Sequence, residues 1–483
     1  MAESNTNYAA LADTIKINDI TSNNVNRDIL QCLKDDKPFE TLCIHPGPPS
    51  AGTSQDYYDY IPEDGEDIGW LGYYIGRNTK LHKLHFSKII DNESFYKEMS
   101  RNNYMQKINI NNLDMSDGKM IHNLDYFFKT NQNLSEFQIV RCQFGIEGIR
   151  QLSLTIRNCN KSLKHFYLYE TDMGDDLVDI ITALSMHPQL TKFSLLDNVI
   201  GRNECTALAT LLRCTTTKLQ KLCLARDNID DEGVKVLVNA LADVNSLRDL
   251  SFTTNRSITM RGWRLVSTLL EMPECNLVAL TINNNNIGNE GALVFANALA
   301  NNSTLKCLGL HSCGIGTKGW APFLKLLCDT SSVNSTYLSN HTLETISDMP
   351  RRFKQICLLV SNIWQDKRQV AMIKILKHHS HFNMEPFFEW EFKVLPLMIR
   401  WFTTAGTVND YSITSNNSLR RMKLDCIYDF IKEFPMLYVE PVTRKEIAEC
   451  IAWEERLQWL GEEDKLEEIR QRKARSMRRL GMK

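Results

Sequence analysis

The chain has 483 residues, 43% of them hydrophobic and 24% charged, with a formal net charge of −2. This is a globular composition, long enough for a large core, and its near-neutral balance excludes a whole-molecule pull towards nucleic acid or anionic membrane. No apolar run approaches ~18 residues, and the opening Met1-Ala-Glu-Ser is polar, so neither a membrane span nor a secretory leader is expected. The fourteen cysteines include no C-x-x-C pair. They read as small buried residues of a reduced, cytoplasmic chain, with nuclear residence left open by the basic C-terminus.

In chain order, residues 1–23 form a polar segment, expected to be loose apart from one short helix. Val25, Ile29, Leu30 and Leu33 share one helical face and predict a cap helix over 24–38. Phe39, Leu42 and Ile44 then start the first strand, and Ile68, Leu71 and Ile75 suit the helix that follows it. Between them lies a loop, 45–67, with Tyr57, Tyr58 and Tyr60 among six carboxylates. Two readings stand for it: a solvated loop, or a recognition loop whose tyrosines supply contact area and whose acids favour a basic partner.

From Leu81 a period sets in. Apolar starts recur at Leu81, Met105, Leu134, Leu163, Leu190, Leu219, Leu247, Leu277, Leu305 and Val333, with spacings from 24 to 30 residues. Each start opens a period-2 strand pattern, as in Leu277, Leu280 and Ile282. A helix pattern follows, as in Ala292, Phe295, Ala296 and Leu299. A unit of this size cannot bury its own apolar face, so it must stack on copies of itself.

The repeat resembles the ribonuclease-inhibitor type of leucine-rich repeat, L-x-x-L-x-L-x-x-[NC]-x-L-x-x-x-G. Its ninth position here reads Leu113, Cys142, Thr171, Asn198, Asp227, Asn255, Asn285 and Cys313. Asn or Cys at that place satisfies backbone groups where strand becomes loop. Leu113, Thr171 and Asp227 depart from the pattern, so less regular turns are expected there, and one extra residue after Asn255 delays Ile258 and Gly262. The resemblance covers residues 39–345. It implies an α/β leucine-rich-repeat solenoid, a horseshoe of about ten to eleven β-α units, and a binding scaffold more often than an enzyme.

In such strands the leucines point inward and the residues between them line the concave sheet. The first outward column holds Lys83, Lys107, Lys192 and Lys221, which suits either edge solubility or an acidic partner segment. Tyr167 and Tyr169 stand beside Val140 and Leu196, with Arg141, Glu170, Asp197 and Arg226 on the adjoining loop edge. An aromatic and apolar centre with a charged rim is the composition of an interface hot spot. The strand of the last repeat is placed at Val333, Thr336 and Leu338, with His341 in the Asn position.

Beyond it the period stops. Residues 346–483 read as an all-α C-terminal module holding five of the eight tryptophans. Its final helix turns from acidic to a basic tail, 470–483, which suits a solvated helix end or a nuclear-import or nucleic-acid patch.

No phosphate loop, zinc-protease, serine-hydrolase or deaminase motif occurs, and neither the Glu63–Asp67 run nor His378, His379 and His381 has metal-ligand spacing. The expectation is a protein without catalytic residues, cofactor or metal: an intracellular protein-interaction scaffold that holds a partner on the concave face and loop edge. The resemblance leaves open a GTPase-activating protein of this repeat type, for which no residue here is assignable as a catalytic arginine, and a ribonuclease inhibitor, against which the long helical C-terminus argues.

Overall fold

The structure, a computed structural model, describes residues 6–38, 40–47, 58–159, 161–171, 173–357 and 367–378. Two compact units divide the chain: residues 1–326 with 345–350, and residues 327–344 with 351–483.

The first unit is built on a single twelve-stranded parallel sheet. Its strands are β1 (Thr41–Ile44), β2 (Tyr58–Tyr60), β3 (Lys83–Phe86), β4 (Lys107–Asn111), β5 (Glu136–Val140) and β6 (His165–Tyr169). They continue as β7 (Lys192–Leu196), β8 (Lys221–Ala225), β9 (Asp249–Ser251), β10 (Ala279–Thr281), β11 (Cys307–Gly309) and β12 (Thr345–Ile346). Neighbours in the sheet are neighbours in sequence except at one edge, where the order runs β3-β1-β2. Each strand from β3 to β11 is followed by a helix, so the unit is the repeat solenoid that the period implies. Of the twelve strands, β2 comes from the 45–67 loop, which leaves eleven in repeat phase.

The inward rows follow from alternation. Leu42, Leu84, Ile108, Phe137, Phe166, Phe193, Leu222, Leu250, Leu280 and Leu308 stand in continuous register, all buried. Phe137, Phe166 and Phe193 form a stack with ring centroids 5.6 and 6.0 Å apart. The helices close the core from the other side, as with Val234, Leu237, Val238 and Leu241 on Asp231–Leu241. Near the N-terminal end, helix Gly69–Arg77 meets helix Glu93–Met99 through Gly72 and Gly76. A Cβ on these would fall 2.3 Å from the Phe95 carbonyl oxygen and 2.2 Å from that of Glu98.

Two asparagine-type ladders satisfy the backbone where the chain changes direction. At the strand-to-helix turn, Asn198, Asn255 and Asn285 donate through Nδ2 to Leu168, Leu224 and Phe252 carbonyls of the preceding repeat. Cys142 and Cys313 make the matching weaker thiol contacts to Ile110 and Ile282. At the helix-to-strand turn, Asn78, Asn102, Asn131 and Asn302 each accept two backbone N–H groups through Oδ1. Their Nδ2 groups donate one repeat back, for example Asn131 to Asn102 O at 2.9 Å. All of these asparagines are buried.

Some expectations need correction. The turns at Leu113, Thr171 and Asp227 keep the left-handed residue that ends the other strands, while the turn at Asp227 adds a second one, Asn228, with φ of 55°. The preceding residues Asn112, Glu170 and Arg226 have φ of 59°, 53° and 57°, close to the 52–58° of the rest of the row. The left-handed strand end is a backbone property, and a threonine hydroxyl or a carboxyl fits the same slot. The segment before the cap helix is packed: Tyr8 is buried with its ring 5.0 Å from that of Trp70 and its hydroxyl donating to Asp67, and Ile17 and Ile20 are buried too. Helix Asn24–Lys34 is capped by Asn23, whose side chain accepts from Val25 and Asn26 N–H.

The strand placed at Val333 is a helix, Val333–Tyr337. Leu305 to Leu343 spans 38 residues, ten more than the period, and that helix lies in the excess. The pairing strand is β12, with Ile346 opposite Leu308. His341 does not fill an Asn position; its Nε2 lies 3.1 Å from the Tyr337 carbonyl oxygen.

In the second unit, Arg351–Ile356 and Lys367–His378 are helical. Lys374 is buried and donates to the Leu327 carbonyl oxygen at 2.7 Å, and burial holds its amine down to about 8. The remaining C-terminal residues, including the five tryptophans, His379, His381 and the basic tail 470–483, lie outside the described residues. Among the described residues no helix is long and apolar enough to cross a membrane, and the cysteines are free thiols.

Candidate partner-binding face

The outward face of the sheet carries three columns, one from each alternate strand position, and register decides which side chains meet. In the first column Lys83 opposes Lys107, Lys107 opposes Glu136, His165 opposes Lys192, and Lys221 lies between Lys192 and Asp249. Two of the four lysines in the column are therefore neutralised. Lys107 pairs with Glu136 at 2.7 Å, and Lys221 pairs with Asp249. Burial alone would raise the Glu136 carboxyl. The hydrogen bonds from His165 and Lys107 outweigh burial and hold it at about 2. Lys192 places its amine 4.8 Å above the Tyr167 ring, and burial, then Lys221, pulls its affinity for a proton down.

Tyr167 and Tyr169 alternate along β6 and meet edge to face, centroids 5.8 Å apart at 68°. They differ in exposure. Tyr167 is only 8% exposed, wedged among His165, Tyr169 and Lys192, and its hydroxyl is pushed far up by burial. Tyr169 is half-exposed and its hydroxyl is pushed up to about 12, again by burial. Val140 and Leu196 flank Tyr169 in register, half-exposed, and Ala225 follows Leu196 on β8. The surface that a partner can touch is thus Val140, Tyr169 and Leu196, with Tyr167 as its floor.

The loop edge has a geometry that alternation does not reveal. Asn112, Arg141, Glu170, Asp197, Arg226, Thr254, Asn284 and Ser312 all have φ between 52° and 59°. A left-handed residue at the end of each strand sends one more N–H to the next strand: Arg141 to Tyr169 O at 2.8 Å, Glu170 to Leu196 O at 2.7 Å, Asp197 to Ala225 O at 2.9 Å. It then turns the chain off the sheet, at a conformational cost of order 1 kcal/mol per non-glycine residue. The four charged members pair across repeats, Arg141 with Glu170 at 2.9 Å and Arg226 with Asp197 at 3.1 Å. The Arg141 guanidinium lowers the Glu170 carboxyl, and the ion pair raises Arg141 in turn. Two exposed, self-neutralised pairs border the apolar centre, available to exchange partners with an incoming charge.

The first-repeat loop is drawn apart by the structure. Tyr60 is fully buried, with its hydroxyl on Glu66, so it is withdrawn from any contact surface. Tyr58 is 44% exposed, and Tyr57 lies outside the described residues. Three of the carboxylates, Glu63, Glu66 and Asp67, are used internally. Glu63 accepts from Thr21, Ser22 and Asn23 at the head of the cap helix, and Asp67 accepts from Tyr8 and Gly69. Those contacts join distant segments, which is why sequence reading missed them. It also missed the helix-to-strand asparagines, although Asn three residues before Leu81, Met105, Leu134 and Leu305 was a legible signal.

No protein-family model matches the chain. Over 318 residues it is 24% identical to NACHT, LRR and PYD domains-containing protein 5 of Mus musculus, covering 64% of this chain and 26% of the relative. Over 194 residues it is 26% identical to Ribonuclease inhibitor of Sus scrofa, covering 34% of this chain and 42% of the relative. The chain thus spans about a quarter of the first relative and less than half of the second. Among solved structures it is similar to a chain in the complex of Rad7 and Elc1 in yeast, with TM-score 0.41 and 15% identity over 65% of this chain and 76% of that one. The similarity is to leucine-rich-repeat proteins, the ribonuclease-inhibitor type included, at low identity.

Proposed function

We propose that the chain is a non-catalytic, cytoplasmic protein-interaction scaffold that seats a protein partner on the concave face and loop edge of repeats β5 to β8. The supporting observation is the grouping of Val140, Tyr169 and Leu196 over a Tyr167 floor, beside the Arg141–Glu170 and Arg226–Asp197 pairs. An apolar patch anchored by a rigid aromatic excludes water from the pairs at its border, and those pairs then select for charge. The leucine-rich-repeat relatives support a binding role of this general kind.

Affinity capture with the full-length chain tests this. Tyr169→Ala with Leu196→Glu should cut recovery of the captured partner by about tenfold or more, as loss of a hot spot does. Thr210→Glu, exposed on helix Arg202–Arg213, should leave recovery unchanged. Equal recovery from all three folded proteins would sink the assignment. The relative named Ribonuclease inhibitor favours one specific version, in which the partner is a ribonuclease; titration of a ribonuclease with the full chain, read as residual RNA cleavage, decides that version separately.

A further inference from the structure

At the edge of the sheet furthest from β12, a sulfur, an imidazole and a carboxylate converge. Parallel pairing sets Cys43 of β1 directly opposite Asp59 of β2 and, on the other side, opposite His85 of β3. His45 follows Cys43 by two residues and so shares its face. Its backbone N–H donates to Tyr60 O at 2.9 Å, which holds it against β2. The Cys43 Sγ, a His45 ring nitrogen and an Asp59 carboxylate oxygen all lie within 4.8 Å of one another. His45 Nε2 is 3.0 Å from Asp59 Oδ1, and that buried oxygen accepts no hydrogen bond of ordinary geometry.

We propose that Cys43, His45 and Asp59 form a binding site for zinc or a similar thiophilic divalent cation. Zinc accepts Cys sulfur, His nitrogen and Asp oxygen, with bonds of about 2.0–2.3 Å, which places tetrahedral ligand atoms roughly 3.4–3.8 Å apart. To reach that spacing the Cys43 sulfur closes in by about 1.4 Å at most, while the His45 and Asp59 atoms, 3.0 Å apart, open by a few tenths of an ångström. The partial burial is right for the purpose: Cys43 is buried, while His45 and Asp59 are half-buried. Three protein ligands leave a fourth position for water or an incoming group.

The alternative is an inert histidine–aspartate pair beside a buried thiol. One feature weighs against it: a thiol joins the pair, its sulfur within 4.8 Å of both the His45 nitrogen and the Asp59 oxygen, and supplies a third zinc donor that such a pair alone lacks. On binding, the S–H bond breaks, the sulfur–zinc bond forms and the proton leaves to solvent, with no oxidant or reductant required. Bound metal would tie β2 to β1 and fix the sheet edge, joining residues 43, 45 and 59 through one ion.

The test uses full-length protein stripped by chelator and titrated with zinc chloride against a chromogenic competitor, then with cobalt(II) followed by absorption. The expected result is about one equivalent of tight zinc and a thiolate-to-cobalt charge-transfer band. Cys43→Ser should abolish the band and weaken zinc by on the order of 100-fold or more, beyond the effect of losing an outer-shell group. Cys223→Ser, a second thiol on the same face, should keep both. If Cys43→Ser melts early, His45→Asn is read by the same titration and should weaken zinc while retaining the band. Absence of the band in the unaltered protein, or unchanged zinc affinity in both Cys43→Ser and His45→Asn, overturns the site.

Discussion

Asp227 occupies the buried turn position that Asn198, Asn255 and Asn285 fill in other repeats. One carboxylate oxygen accepts the Asn198 N–H at 2.9 Å, and the other, Oδ2, is buried with no partner. In the neighbouring turns that second atom is an amide nitrogen donating to a carbonyl one repeat back. By register the corresponding acceptor for residue 227 is the Leu195 carbonyl, since Leu195 stands between Leu168 and Leu224. Asp227→Asn therefore keeps the Asn198 contact and replaces an orphaned acceptor by a donor with a carbonyl in reach. Removing an unsatisfied buried group is worth about 1–3 kcal/mol and the added hydrogen bond about 1 kcal/mol, so a net gain of about 2 kcal/mol is expected near pH 7.

In an array of this length a gain of that size raises the melting temperature by only about 2–4 °C. The pH dependence is more telling. Burial, opposed by the Asn198 contact and assisted by the Asp197 charge, raises the Asp227 carboxyl well above its ordinary value. A carboxyl with a raised folded-state pKa contributes stability that is fully present below the unfolded value, near 4, and is lost as pH rises through the folded one. The neutral acid also carries one donor, as the amide does. The advantage of Asp227→Asn should thus be small near pH 4 and grow towards neutrality. Urea or thermal unfolding of both proteins from pH 4 to 8 measures it. A variant less stable than the parent, or an advantage independent of pH, refutes the reasoning.

Other consequences are as direct. Leu222 is 1% exposed, so Leu222→Asp should cost several kcal/mol and unfold the array, while Lys221→Asp should cost at most about 1 kcal/mol through lost pairing with Asp249; comparable melting shifts for the two would mean the strand phase is misread. Asn131→Ala removes the acceptor for Asn133 and Leu134 N–H and the donor to Asn102 O, the last two contacts being buried. A loss of about 2–4 kcal/mol by urea unfolding is expected, and a change under about 0.5 kcal/mol would show that water replaces the side chain.

How much of this was legible depends on the distance over which each feature is decided. The repeat solenoid was legible because alternation and helical spacing are local and were written many times over, so Leu222 inward and Lys221 outward followed from position alone. Tyr167 and Tyr169 were correctly placed on one face, but their unequal exposure was not legible, since Tyr167 is covered by Lys192 from the next strand. The Val333 strand was misread because a periodic rule has no way to register ten additional residues that fold into a helix of their own.

Sequence by itself determined the inward and outward rows, since a side chain's face is set by a two-residue backbone period that needs no knowledge of the rest of the chain. Only the tertiary structure decided which outward groups meet. It turned two lysines of the column into ion pairs and the loop-edge charges into two bridges, withdrew Tyr60 into the core, and brought Cys43 and Asp59 face to face. Those pairings span from sixteen to twenty-nine residues and are fixed by strand register, which the sheet sets through its hydrogen bonds and its packed core.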